Sequence, residues 1–345
     1  MRSRTLFPVL CIGLIFSLIF SGCSSDIDLD KEIATVNGEK ITVEEYNFFL
    51  WNAKEQMALG ASIEQVDNFW DTEIEGKKAV DVAKEKAMDA AISSKVQLQK
   101  AKEMGLSLTD EDLKAVREEK THYVEHWGGL DGYNKLLDDI GITDKGFDKV
   151  LQDLKLAEKL YSKLTDKEEG FTITDEELKK YFDENVVRVK HILLLTETED
   201  HTMPIPSNFK EEVKKQAEEL LRRLRNGEDF DKLMYLYSQD TGLYDNPDGY
   251  LFEKNGEMVK EFEDAAFSLE IGEISDVIET VYGYHILKRE DHTSDPKYFE
   301  QYKEKAWAGA AKAKYEKQID AWKKEANVTV NEKVLEKIKV IDDTD

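Results

Sequence analysis

The stretch VVRVKHILLL, residues 186–195, constrains this chain more than any other. A short, almost unbroken apolar run rich in β-branched residues and leucine reads as a strand. In strand phase Val187, Val189, His191, Leu193 and Leu195 share one face. One imidazole therefore stands in an otherwise apolar row. A lone buried histidine is usually structural, but a second stretch, YGYHILK, repeats the pattern. There His285 and Leu287 lie on one face of a strand, with Ile286 and Lys288 on the other. If the two strands are central neighbours, the two histidines face each other.

The elements around these strands have a definite order. Thr174-Asp-Glu-Glu177 is a capping pattern for a short helix through Phe182. After the strand, a loop from Thr196 to Ser207 carries two prolines. A helix follows, marked by Val213, Ala217, Leu220, Leu221 and Leu224. A shorter helix uses Phe230, Leu233, Met234 and Tyr237. GYLF reads as a short strand and VKEFEDAAFSL as a helix. DVIETVYGYHILKRE supplies a strand, a tight turn at Gly283 and a closing strand. The result is an α+β domain with a small sheet and surrounding helices.

The flanks are helical. Asn37-Gly38 is a hairpin signal, and Thr42-Val-Glu-Glu45 caps a helix through about Leu59. Further helices are expected over 77–104, from Thr109, over 131–138 and over 144–164, with Gly105 as a stop. Beyond the central domain one long helix, about 296–326, carries Phe299, Tyr302, Ala306, Ala310, Ala313, Ile319 and Trp322. Its aromatics need a partner helix, with the N-terminal segment as the candidate. Homodimerisation through the helical parts stays open. NVTV breaks the helix, and 331–339 forms a short final one. His122 and His126 share a helix face, but a zinc-protease motif needs glutamate where Tyr123 stands. No metal site is expected.

At the start of the chain, Arg2 and Arg4 precede an apolar run to Phe20 and then FSGC. That pattern is similar to a bacterial lipoprotein signal, which is cut before Cys23 so that the cysteine carries lipid. The only other cysteine, Cys11, lies inside the signal, so no disulfide holds the mature chain together. The expected parts are a signal over 1–22, a lipidated tether over 23–30, a helical segment over 31–170, the α+β domain with its leading helix over 171–291, and a helical segment over 292–345. Acidic residues number 73 against 48 basic ones, a formal charge of -25. Such a surface disfavours nucleic acid and anionic lipid.

The segments VKHILL, FDKLMYLYSQD, GEMVKEFEDAAFSLEIGEIS and ETVYGYHILK, in this order and spacing, resemble the parvulin family of peptidyl-prolyl cis-trans isomerases. With the lipoprotein start and helical flanks, the whole mature chain resembles PrsA-type extracytoplasmic foldases and, more distantly, SurA-like chaperones. The resemblance implies a polar network of His191, Asp240, Thr280 and His285. It also implies a proline-binding cup from Phe252, Met258 and Phe262. YDNPDGYLF stands where many members have a double-glycine, aspartate, leucine, glycine run, so the wall of that cup is rebuilt here. TETEDHTMPIPSNF has no arginine or lysine before Lys210, where the phosphate-directed branch has a basic cluster, so phosphorylated substrates are not expected.

The implied activity needs no metal, nucleotide or redox cofactor. The implied clients are unfolded or partly folded exported proteins with X-Pro bonds, met at the outer face of a cell membrane to which lipid on Cys23 tethers the protein. The competing reading is a non-catalytic holdase that uses the parvulin-like domain as scaffold. A lipid-anchored solute-binding protein fits poorly, because no two-lobed α/β repeat is present.

Overall fold

The computed structural model of the chain describes residues 28–61, 69–196 and 206–338. Cys23 with the signal, and most of the acidic loop after the first central strand, lie outside the described residues. The chain divides into two compact units. One gathers the residues up to Gly170 with those from Tyr315 onward, and the other is Phe171–Lys314.

The first unit opens with a hairpin, β1 (Glu32–Val36) and β2 (Glu39–Thr42), followed by helix α1 (Val43–Ala61). Asn37 and Gly38 turn the hairpin with φ of 52° and 84°, the left-handed pair that a two-residue connection requires. Thr42 and Glu45 cap α1 reciprocally: the Glu45 amide donates to Thr42 Oγ1 and the Thr42 amide to Glu45 Oε2. A two-stranded ribbon, β3 (Glu73–Ile74) and β4 (Lys77–Lys78), leads into α2 (Ala79–Glu103). Three more helices follow, α3 (Asp110–His126), α4 (Leu130–Ile140) and α5 (Asp144–Leu164). The small residues Ala83, Ala87 and Ala91 let α2 lie close in the core beside Ile33, Tyr46 and Leu50.

The second unit begins with α6 (Asp175–Asn185), capped by Thr174 and Glu177, and passes directly into β5 (Val186–Leu195). Then come α7 (Ser207–Arg225), α8 (Phe230–Tyr237), β6 (Tyr250–Glu253), α9 (Lys260–Ser268), β7 (Ile278–Glu279) and β8 (Gly283–Glu290). The sheet is antiparallel in the order β6-β5-β8-β7, so the two histidine-bearing strands are its centre. One face, with Ile192, Leu194, Tyr284 and Ile286, is covered by α7 and α8. On the other, Val187, Val189 and Leu287 pack with Phe252 and with Phe262 and Ala266 of α9.

The chain ends with α10 (Pro296–Glu325), β9 (Val328–Val330) and α11 (Glu332–Leu335). The long helix divides its apolar side chains. Tyr298, Tyr302, Ala306 and Ala310 pack with Leu178 and Phe182 of α6, while Trp322 packs into the first unit's core. α6 is therefore the partner of its first half, a helix that belongs to the α+β unit. NVTV not only ends the helix but returns as a strand beside β1, making the three-stranded order β2-β1-β9.

Gly283 closes the turn expected there, its carbonyl accepting from the Thr280 amide at 2.9 Å. It is the first residue of β8, paired with Leu195, and a Cβ there would fall 2.1 Å from the Leu194 carbonyl oxygen. Close backbone approach selects the glycine at the end of the Thr280–Gly283 turn.

Candidate active site

The site is built on the α9 face of the sheet. In the β5–β8 register His191 is opposite Leu287 and His285 opposite Leu193, so the two histidines are diagonal neighbours on one face. Their ring centroids are 5.3 Å apart. Phe262 of α9 lies edge-on to both, 5.1 Å from His191 and 5.4 Å from His285.

Asp240 reaches His191 because β6 pairs only with Val186–Val189 and leaves the rest of that β5 edge uncovered. The segment after α8 takes the edge. Leu193 N–H donates to Ser238 Oγ at 3.1 Å, Gln239 N–H to the Leu193 carbonyl at 2.8 Å, and Leu195 N–H to Gln239 Oε1 at 2.8 Å. The next residue, Asp240, then accepts from His191 Nε2–H at 2.9 Å on Oδ2 and from the Gly242 amide at 3.0 Å on Oδ1. Burial pushes the Asp240 carboxyl up, but the hydrogen bonds from His191 and Tyr250 outweigh it and hold the group at about 2. An ionised carboxylate only accepts, so the proton on this hydrogen bond belongs to His191 Nε2.

Thr280 sits in the β7–β8 turn and is paired with His285, its Oγ1 2.9 Å from Nε2. Tyr282 N–H also donates to Thr280 Oγ1 at 3.2 Å, and the Thr280 hydroxyl faces the Gly283 carbonyl at 3.4 Å. The arrangement that leaves no buried donor unpaired has His285 Nε2–H donating to Thr280, whose own proton points at Gly283. Burial, with His191 beside it, pushes His285 down to about 3, so this imidazole is neutral at neutral pH. The Nδ1 atoms of both histidines are buried without a hydrogen-bond partner.

The remaining expected residues also converge. Phe262 is buried beside the histidines, and Phe252 is fully buried behind it at 6.0 Å. Met258 is half-buried in the same cluster. The loop that carries it is held by the buried Glu263, which accepts from the Asn255 and Gly256 amides at 3.1 and 2.9 Å. One residue escaped the sequence reading. Tyr250 donates its hydroxyl to Asp240 Oδ2 at 2.6 Å, and its ring is 5.5 Å from His191. Its signal is its place at the start of the short strand, two residues before Phe252.

A PPIC-type PPIase domain matches residues 155–293, and a SurA-like N-terminal domain matches residues 1–161. The fold and site thus define a protein in which a SurA-like helical part is joined to a PPIC-type isomerase domain. The foldase protein PrsA of Caldanaerobacter subterraneus subsp. tengcongensis is 35% identical over 297 residues, covering 83% of this chain and 84% of its own length. That of Clostridium botulinum (strain Okra) is 28% identical over 360 residues, covering 96% and 99%. The crystal structure of foldase protein PrsA from Streptococcus pneumoniae is 22% identical, covers 79% of this chain and 94% of that one, and has a TM-score of 0.34. The chain belongs to the PrsA family of foldases.

Proposed function

We propose that this protein accelerates cis–trans isomerisation of X-Pro bonds in exported proteins as they fold. The observation that carries this reading is the set of two hydrogen-bonded pairs, Asp240–His191 and Thr280–His285, held side by side against Phe262. Rotation about the peptide bond is opposed by amide resonance, a barrier of ~18–20 kcal/mol, and takes tens to hundreds of seconds without help. No bond has to break. A site that holds the twisted amide more tightly than either planar form lowers the barrier. Phe262 and Met258, backed by Phe252, form the apolar cup for the proline ring. The polar pairs present fixed dipoles to an amide whose carbonyl has lost conjugation. His191 is not a nucleophile in this scheme. A protease-coupled assay on X-Pro peptides tests the reading, and turnover no faster than the uncatalysed rate would sink it.

The finer assignment of place follows from FSGC. Lipid on Cys23 tethers the protein to the outer face of the membrane. Among the described residues no helix is long and apolar enough to cross a membrane. Cys23→Ser should move the protein from the membrane pellet to the soluble fraction or stall its processing. Wild-type mature protein with an intact signal and an unmodified Cys23 would rule the anchor out. The helical segments, 31–170 with 292–345, are assigned the holding of clients.

A further inference from the structure

Tyr250 lies outside the four polar residues and the apolar cup, yet it makes the shortest hydrogen bond of the site, 2.6 Å from its hydroxyl to Asp240 Oδ2. We infer that Tyr250 is a positioning residue of the isomerase site, fixing the Asp240 carboxylate against His191. The inference rests on the reading above.

Three independent features build the contact. First, Oδ2 accepts from both Tyr250 and His191 while Oδ1 accepts from the Gly242 amide, so the carboxylate is held at both ends. Without the phenol, Oδ2 would keep only the His191 ring donor and Oδ1 the Gly242 amide, one tie fewer on the carboxylate beside His191. Second, the phenol fits a notch made by a missing side chain. A Cβ on Gly242 would lie 2.2 Å from the Tyr250 hydroxyl oxygen. Third, the turn that delivers Tyr250 is clamped from below. The buried Arg188 donates through Nε and one Nη to the Asp291 carbonyl at 3.1 and 2.8 Å, and through its other Nη to the Asp248 carbonyl. Gly249, with φ of 96°, passes so close that a Cβ would be 2.6 Å from the Val189 carbonyl oxygen. The segment YDNPDGYLF therefore supplies the site with an anchoring donor. The phenol keeps its proton, because burial and the Asp240 carboxylate push it well above the ordinary phenol range.

The experiment uses the full chain and two variants with different chemistry. Tyr250→Phe removes the hydroxyl and keeps the ring. Gly242→Ala keeps the hydroxyl and displaces it, the new Cβ falling 2.2 Å from the phenol oxygen against a looser 3.3 Å from Asp240 Oδ1. For both, kcat on an X-Pro peptide should fall about tenfold, as misplaced catalytic groups do, with KM nearly unchanged because the apolar cup is untouched. The carboxyl ¹³C resonance of Asp240 should titrate at higher pH in both. Wild-type kcat in either variant overturns the inference, as does a fall in kcat with the Asp240 titration unmoved, which would mark a packing role. Asp240→Ala separates the levels. If it too leaves kcat unchanged, the site reading itself fails; if it abolishes turnover while Tyr250→Phe does nothing, only the inference about Tyr250 fails.

Discussion

At Asp240 two side chains and a backbone amide converge on one carboxylate, and at His285 a neutral ring is buried beside a threonine. The two groups answer to different tests. Asp240→Asn keeps the volume but removes the charge, and turns one accepting atom into a donor that faces other donors. A loss of roughly 10–100-fold in kcat/KM is expected, with the thermal transition little changed; wild-type turnover would remove Asp240 from the site. His285 bears on stability. Its folded-state value is about 3 against an ordinary 6.5. Between those values the unfolded chain binds a proton that the folded chain refuses, so stability falls as pH is lowered through this window. Asp240, held at about 2 against 3.8, adds a loss of the same sign at still lower pH. Scanning calorimetry from pH 7 to pH 5 should show wild type losing of order 1 kcal/mol more than His285→Gln. Equal slopes would mean that the ring takes up its proton without cost.

At the scale of elements, β5 and β8 carry the site, and at Gly283 the β5 backbone leaves no room for a Cβ. Gly283→Ala should push the strands apart at the Leu194 carbonyl, 2.1 Å from the new Cβ, and cost about 1–3 kcal/mol by overpacking. Turnover should fall with it, because the same turn sets Thr280 against His285. Full stability in denaturant titration would show that the ladder relaxes freely. The sequence was clear where one periodicity dominated. The two-residue period of a strand put His191 on one face with Val187 and Val189, and the caps at Thr42, Thr109 and Thr174 marked helix starts seen in the structure. It was opaque where geometry depends on a distant partner. β9 is three residues whose strand character comes from β1, hundreds of positions earlier. β3 and β4 are two residues each, too short for any period. Tyr250 reads as a strand aromatic until Gly242 is seen to leave room for its hydroxyl.

For the whole molecule the question is whether catalysis and client holding are separable. The polar pairs lie on one sheet face of the unit Phe171–Lys314 and are largely buried. Broad holding of an unfolded chain draws instead on extended apolar and polar surface, to which a buried imidazole adds little. His191→Ala and Asp240→Ala are therefore expected to lower X-Pro turnover strongly while suppression of client aggregation by the full chain is largely kept. The physical basis is the contrast between a preorganised constellation, in which losing one member misorients the next, and diffuse contacts that tolerate truncation. If His191 were only a packed core residue, its removal would act through a cavity or an orphaned Asp240 and lower stability first. Measuring kcat/KM, the thermal transition and aggregation suppression on the same preparations separates these cases. Folded variants with unchanged kcat/KM would favour the scaffold reading. Turnover lost only together with the folded state would leave His191 a structural residue, and parallel loss of turnover and holding would show that the isomerase face is itself where clients are held.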